Sequence, residues 1–276
     1  MIDPGKLIEF LQEDAPFGDI TSEALIPADL SASAVIRAKE PCTIAGLEEA
    51  AFLFTHLGAA ARAAVEDGAA VAAGSVVMTI EGPARAVLRA ERPALNLIGR
   101  MSGIATATRA AAEFARAANP SAKIAPTRKT APGLRTLDKK AAVIGGGEPH
   151  RFSLSDMFLI KDNHLALVGI EEAVRRAKAF SRYHKIEVEA ESADDAVLAA
   201  RAGADLVLLD NMTPEEVAAA VDALRAAGLR DRVVIEVSGR VTAKTVAAYA
   251  GAGADIISMG ALTHTVRNID VSLDIA

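Results

Sequence analysis

The spacing of apolar and polar positions changes character partway along the chain. In the C-terminal half, short apolar runs alternate with amphipathic, alanine-rich segments, the pattern of strands covered on both faces and separated by helices. Met157 to Lys161, Lys185 to Glu189, Leu206 to Asp210, Val233 to Val237 and Asp255 to Met259 read as strands. Ile170 to Phe180 reads as a helix, and Ser192 with Asp195 three residues on caps the next. Thr213-Pro214-Glu215-Glu216 supplies an N-cap, a proline where the first turn needs no N–H, and a capping-box acid. A last helix in this series starts near Thr242. Ala202-Gly203-Ala204-Asp205-Leu206-Val207 recurs as Ala252-Gly253-Ala254-Asp255-Ile256-Ile257, each a glycine helix stop running into a buried strand.

Repeated strand–helix units imply a parallel sheet, in a β/α barrel or a doubly wound arrangement. The strand ends favour the barrel. Lys161, Glu189, Asp210, Ser238 and Gly260 each fall as an apolar run finishes, and in a β/α barrel those ends converge on one mouth. A single acid after a strand serves equally well as a helix cap; five such positions in register predict a site.

The N-terminal part has a different rhythm. Asp3-Pro4 starts a helix with Leu7, Ile8, Phe10 and Leu11 apolar, Ser33 to Lys39 and Val76 to Glu81 read as strands, and a second helix runs from Leu47 to Leu57. This predicts a separate α+β domain. Ala84 to Ala118 reads as a long helical stretch broken near Pro93 and at Ser102-Gly103, linking the two parts.

Composition narrows the functional classes. A chain of 276 residues, 51% hydrophobic and 24% charged, holds one large domain or two modest ones with a sizeable core. A formal charge of -6 argues against a nucleic-acid or membrane-surface binder, because phosphate attraction needs net positive charge. A small anion needs only a local patch. The single Cys42 forms no internal disulfide, no Cys/His cluster has zinc spacing, and a reducing compartment fits. Met1-Ile2-Asp3-Pro4 does not open a signal peptide, and no stretch approaches the roughly 18 apolar residues of a membrane span. The expected location is the cytoplasm.

Between Thr127 and His164 both periodicities mostly fail. From Thr127 to Lys161 seven Lys/Arg residues (Arg128, Lys129, Arg135, Lys139, Lys140, Arg151, Lys161) face three acids (Asp138, Glu148, Asp156), a local reversal of sign in an acidic protein. A generic charge run is a solvated loop. This one mixes arginine, whose planar fork grips a carboxylate, with lysine, a compact point charge, and suits a ligand bearing carboxylates and phosphates. His150 reads as an anion donor or a packed histidine, and its neighbour Arg151 favours the former. Gly145-Gly146-Gly147 lacks the spacing of a P-loop and reads first as a flexible turn. Glu189 and Asp210, ending neighbouring strands, suit magnesium beside a pyrophosphate or hydrogen bonds to ribose hydroxyls. Ser238-Gly239 and Gly260-Ala261 follow the last two strands, where such barrels bind phosphate.

These motifs resemble the quinolinate phosphoribosyltransferase family over nearly the whole chain. The resemblance lies in Gly18-Asp19-Ile20-Thr21, Glu91-Arg92 through Ala94-Leu95-Asn96, Ser102-Gly103-Ile104-Ala105-Thr106, and the run from Thr127 to Arg135. It continues through Gly145 to Arg151, Leu159-Ile160-Lys161-Asp162-Asn163-His164, Lys185 to Glu189, Leu209-Asp210-Asn211 and Ser258 to His264. It implies an N-terminal α/β sandwich over residues 1–105 and an open, seven-stranded β/α barrel over 106–265, with the tail 266–276 returning to the first domain. It implies a homodimer, with room for higher assembly, in which Arg92 reaches the partner's site.

Carried over by position, Arg92, Arg128, His150, Arg151 and Lys161 hold the quinolinate carboxylates. Lys129, Glu189, Asp210, Ser238 and Gly260 surround phosphoribosyl pyrophosphate, with Glu189 and Asp210 at its magnesium, and Thr127, Gly239, Arg240, Met259 and Ala261 complete the substrate-binding set. Lys129, Lys161, Glu189 and Asp210 are the residues assigned to catalysis. Many family members carry a second glycine where this chain has Arg240, whose side chain either points outward or adds a cation at the 5-phosphate. The implied reaction forms nicotinate mononucleotide, pyrophosphate and carbon dioxide in NAD biosynthesis. The rivals are a phosphoribosyltransferase of molybdate-transport systems, which has less need of crowded cations, and a non-catalytic phosphosugar-binding β/α protein, which has no need to keep Lys129, Glu189 and Asp210.

Overall fold

A computed structural model describes residues 3–276; Met1 and Ile2, where the N-terminal reading begins, lie outside the described residues. In chain order the elements are α1 (Pro4–Asp14), α2 (Ile20–Leu25), β1 (Ser31–Ala38), β2 (Cys42–Thr43), α3 (Leu47–His56), β3 (Ala60–Ala63), β4 (Ala70–Val71), β5 (Val76–Pro83) and α4 (Ala84–Ala118). There follow β6 (Lys123–Ala125), α5 (Arg135–Ile144), β7 (Phe158–Ile160), α6 (Asp162–Leu165), α7 (Ile170–Phe180), β8 (Ile186–Ala190), α8 (Ala193–Ala202) and β9 (Leu206–Asp210). The chain ends with α9 (Pro214–Ala226), β10 (Val234–Ser238), α10 (Val246–Gly251), β11 (Ile256–Ser258), α11 (Ala261–His264) and β12 (Val271–Ile275). Among the described residues no helix is long and apolar enough to cross a membrane.

The chain divides into two compact units. The first comprises Met1–Ala107, Thr136–Gly145 and Val266–Ala276; the second comprises Thr108–Arg135 and Gly146–Thr265. The first unit is built on a four-stranded antiparallel sheet in the order β12-β1-β5-β3. The C-terminal strand β12 closes one edge, Ala34 facing Ile275 and Ala38 facing Val271. Capping follows the sequence: the Asp3 carboxylate accepts from Gly5 N ahead of Pro4, and Asp19 accepts from Thr21 N and Ser22 N at the start of α2.

Helix α4 differs from the expected broken stretch. It is one continuous helix containing Pro93, and the glycines read as breaks allow close approach. A Cβ at Gly103 would lie 2.2 Å from the Arg267 carbonyl oxygen and one at Gly99 2.9 Å from that of Ile269, so backbone passes where side chains cannot. Helix α5 also departs from the expected irregular loop and packs within the first unit. Charged residues on its inner face hid its apolar stripe: Asp138 is fully buried and takes a bidentate pair of 2.8 Å bonds from Arg100, while Lys140 bonds Glu48 and, at 2.6 Å, Glu49.

The second unit carries a parallel sheet in the order β6-β11-β10-β9-β8-β7, flanked by helices in the expected α/β class. Its helix caps are those of the sequence reading: Ser192 accepts from Asp195 N, and Thr213 and Glu216 form a capping box. Here α10 starts at Val246, later than the expected Thr242, after a turn in which Thr245 donates to the Thr242 carbonyl. Among the described residues six strands pair in this sheet. Residues 146–157 form no strand; Glu148 N donates to Ile124 O at 2.7 Å, and the chain then turns through left-handed geometry at His150. That turn presents His150 and Arg151 to the end of the sheet instead of extending it. Small and β-branched residues including Val188, Val207, Ile235 and Ile257 fill the core.

Candidate active site

A cavity of about 520 Å³ opens at the C-terminal ends of the parallel strands. Thr127, Arg128 and Lys129 enter it from the turn after β6, His150 and Arg151 from the loop before β7, Lys161 from the end of β7, Asp210 from β9, and Ser238, Gly239 and Arg240 from β10 and its following turn. Four of the seven cations counted in the basic segment line this cavity: Arg128, Lys129, Arg151 and Lys161. Lys139 and Lys140 are committed to the first unit instead, and Arg135 bonds Thr130 and the Phe152 carbonyl.

The cations are held by bonds that the sequence does not advertise. Lys129 N donates to Thr127 Oγ1 at 3.1 Å, and Thr263 Oγ1 donates to the Lys129 carbonyl at 2.8 Å, fixing the turn from both sides. Gly260 is closely flanked: a Cβ there would meet the His264 imidazole at 3.1 Å and Lys129 Cδ at 3.2 Å, so either side chain would have to give way slightly. His264 therefore belongs beside Lys129, a neighbour missed in the sequence because its signal is only its position four residues after Gly260. On the other side, Asn211 N donates to Ser238 O at 2.9 Å and Tyr249 donates to the Met212 carbonyl at 3.0 Å.

Backbone strain is concentrated at this mouth. Among the described residues the non-glycine positions with left-handed φ are His150 (53°), Asn211 (56°) and Arg240 (52°), and all three line the cavity. Such conformations cost on the order of 1–3 kcal/mol each and persist where the surroundings impose them. At Gly239 the requirement is absolute: φ is 89° and a Cβ would lie 2.3 Å from Asn211 Oδ1. Arg240 is exposed and forms no ion pair among those described, so its guanidinium stands available at the cavity rim.

Electrostatically the site has two faces. Arg151 is only 9% exposed; burial, then repulsion from Arg128, lowers its pKa, while Glu187, Asp156 and Glu236 oppose that shift. The Nε atoms of both Arg128 and Arg151 are buried without a hydrogen-bond partner. Two neighbouring guanidiniums are chemically suited to receive a carboxylate. Across the cavity, Lys161 forms an ion pair with buried Glu189. Burial and repulsion from Glu189 push the Asp210 carboxyl up, against the pull of Lys161, Asn211 and Lys129. Asn211 Nδ2 donates to Asp210 at 2.5 Å.

Five expected residues are not part of the lining. Glu189 contacts Lys161 and faces a neighbouring depression beside Asp162. Met259 is buried, Gly260 borders Lys129, and Ala261 begins α11. Arg92 lies on α4 in the first unit, its side chain 61% exposed and 3.9 Å from Glu91. Conversely, Leu159, Leu208, Asn211, Glu236 and Ser258 line the cavity without having been anticipated. Period-2 alternation carries the signal for the acids: Glu187 shares a strand face with Glu189, and Glu236 with Ser238.

Comparison with known proteins identifies the family. The N-terminal domain of quinolinate phosphoribosyl transferase matches residues 19–102 and its C-terminal domain residues 104–274. A probable nicotinate-nucleotide pyrophosphorylase (carboxylating) of Methanothermobacter thermautotrophicus is 45% identical over 269 residues, spanning 97% of this chain and 96% of the relative. The nicotinate-nucleotide pyrophosphorylase (carboxylating) of Mycobacterium leprae is 41% identical over 275 residues, spanning 96% of this chain and 94% of the relative. The crystal structure of NadC from Streptococcus pyogenes superposes with a TM-score of 0.93 at 34% identity, covering 100% of this chain and 98% of that one. With both family domains matched in order and relatives aligned along their full length, the chain belongs to the quinolinate phosphoribosyl transferase family.

Proposed function

We propose that this enzyme transfers the phosphoribosyl group of phosphoribosyl pyrophosphate to quinolinate with loss of carbon dioxide, forming nicotinate mononucleotide and pyrophosphate for NAD biosynthesis. The observation that carries this reading is the pairing of buried Arg151 with half-buried Arg128 in one cavity with His150, Lys129 and Lys161. A dicarboxylate answers the charge on one side. A phosphorylated sugar answers Lys129, Arg240 and the Ser238-Gly239 turn on the other.

In this assignment Arg128, His150, Arg151 and Lys161 orient the two carboxylates so that the pyridine nitrogen faces the anomeric carbon. The nitrogen's electron pair forms the new bond as the bond to pyrophosphate breaks, and the leaving electron pair departs on pyrophosphate oxygen. Asp210 stabilises positive charge developing on the sugar, and Lys129 stabilises the departing anion. The pyridinium then accepts the electron pair released when the 2-carboxylate leaves, and a proton replaces carbon dioxide. Holding both substrates in line supplies most of the acceleration, without a covalent protein intermediate.

The donor chemistry fits magnesium: Glu189 and Asp210 repel each other, and a divalent cation relieves that repulsion. Magnesium bound there supplies charge neutralisation for pyrophosphate. Lys161 competes for Glu189, which leaves Asp210 the freer ligand. In an assay containing quinolinate, phosphoribosyl pyrophosphate and magnesium, the expected result is equimolar carbon dioxide and nicotinate mononucleotide. Turnover with nicotinate but not quinolinate would overturn the substrate assignment.

The exposed Arg92 fits a homodimer in which it completes the partner's cavity. Arg92→Ala and Lys129→Ala, each inactive alone, should regain about a quarter of wild-type activity when mixed under subunit exchange, from statistical pairing into one intact site per heterodimer. Exchange without any rescue rules the shared site out.

A further inference from the structure

At the base of the cavity lie two buried carboxyl groups that the proposed reaction leaves without a role. Glu187 on β8 and Glu236 on β10 project from strands either side of β9, and both are essentially inaccessible. One side-chain atom from each, together with one from His150, forms a cluster within 4.8 Å. Glu236 Oε1 lies 3.3 Å from His150 Nε2, at ion-pair distance, and makes no hydrogen bond of its own. The other ring nitrogen, Nδ1, is buried without a partner, and His150 lines the cavity from a backbone held at φ 53°.

An imidazole has two inequivalent nitrogens, and the partner of one fixes the role of the other. We infer that Glu236 is a positioning residue for the aromatic dicarboxylate: its carboxylate pairs with the Nε2 side of the His150 ring and leaves Nδ1 as the nitrogen that meets a substrate carboxylate. This rests on the proposed reaction. A carboxylate is received only by an N–H, so the ring that binds substrate carries protons on both nitrogens, with Glu236 as its buried counter-ion. The charged groups facing His150 are Glu236 from β10, Glu187 from β8, and Arg151 beside it in the loop, with Arg128 next to Arg151. His150, Glu187 and Glu236 also have the spacing of a cation site. Arg151 already supplies positive charge to both carboxyl groups, so the His150–Glu236 ion pair accounts for the cluster without a metal ion.

Glu236→Gln tests the assignment because the amide keeps the size of the side chain but loses the counter-charge. The expected result is a KM for quinolinate raised about ten- to a hundred-fold, with the KM for phosphoribosyl pyrophosphate within about two-fold and the melting temperature within a few degrees. An unchanged KM for quinolinate, or an equal rise in both KM values, overturns the inference. A second measurement depends neither on Glu236→Gln nor on turnover. Nitrogen-15 spectra of the wild-type enzyme, assigned by difference from His150→Asn among five histidines, should show His150 protonated at Nε2. A bare Nε2 overturns the inference even if quinolinate is turned over. A wild-type enzyme inactive toward quinolinate refutes the proposed reaction, while the spectrum still decides the Glu236–His150 pair.

Discussion

Arg151→Ala should lower kcat/KM for quinolinate by about 10²- to 10³-fold while leaving the KM for phosphoribosyl pyrophosphate within about three-fold. The side chain is almost wholly buried, and its guanidinium faces Arg128 on one side and two buried glutamates on the other. Charge-assisted bonds formed in such a site are strong because little water competes for them. Arg151→Lys should recover only part of the loss, since an ammonium cannot reproduce a planar two-point grip on a carboxylate. Steady-state kinetics with each substrate varied in turn provide the check. Equal losses against both substrates, accompanied by a lowered melting temperature, would assign Arg151 to the fold rather than to the dicarboxylate.

Glu187→Gln should stabilise the protein near neutral pH, by up to about 3 kcal/mol at pH 7, and flatten the pH dependence of stability between about pH 5 and 9. Burial, and then repulsion from Glu236, pushes the Glu187 carboxyl up to about 9, whereas its unfolded value is the ordinary 4.5. Between those values the folded protein holds a proton that the unfolded chain has released. Stability attributable to this group therefore falls as pH rises through the window and is recovered as pH drops toward 4.5. Glutamine has no proton to release on unfolding. Urea midpoints for both proteins at pH 5, 7 and 9 measure the effect; parallel curves would show that Glu187 does not titrate in this window.

The ladder of the second unit was legible because its strands are continuous apolar runs and its helices carry their own caps, as at Ser192 and Thr213. The polar residue closing each run marked the mouth correctly at Lys161, Asp210 and Ser238. Two failures share one cause, that contacts far apart in sequence override local signals. Gly99 and Gly103 look like interruptions of α4, yet they accommodate backbone some 165 residues away. The charges of Asp138 and Lys140 conceal a helix whose partners are Arg100, Glu48 and Glu49. Glu187 and Glu236 escaped notice for the opposite reason. Each sits inside a strand where an apolar residue is expected, and only the closed inner face of the sheet turns them toward His150.

The three non-glycine residues in left-handed geometry around the cavity make stability and activity compete at the same positions. Glycine at His150, Asn211 or Arg240 would release torsional strain on the order of 1 kcal/mol per site, while deleting a side chain from the mouth. Selection for heat resistance alone, applied to this chain, would drift toward those glycines and arrive at a sturdier protein with a blunted pocket. A useful thermostable variant has to gain its margin elsewhere, among surface and loop positions that never face the ligands.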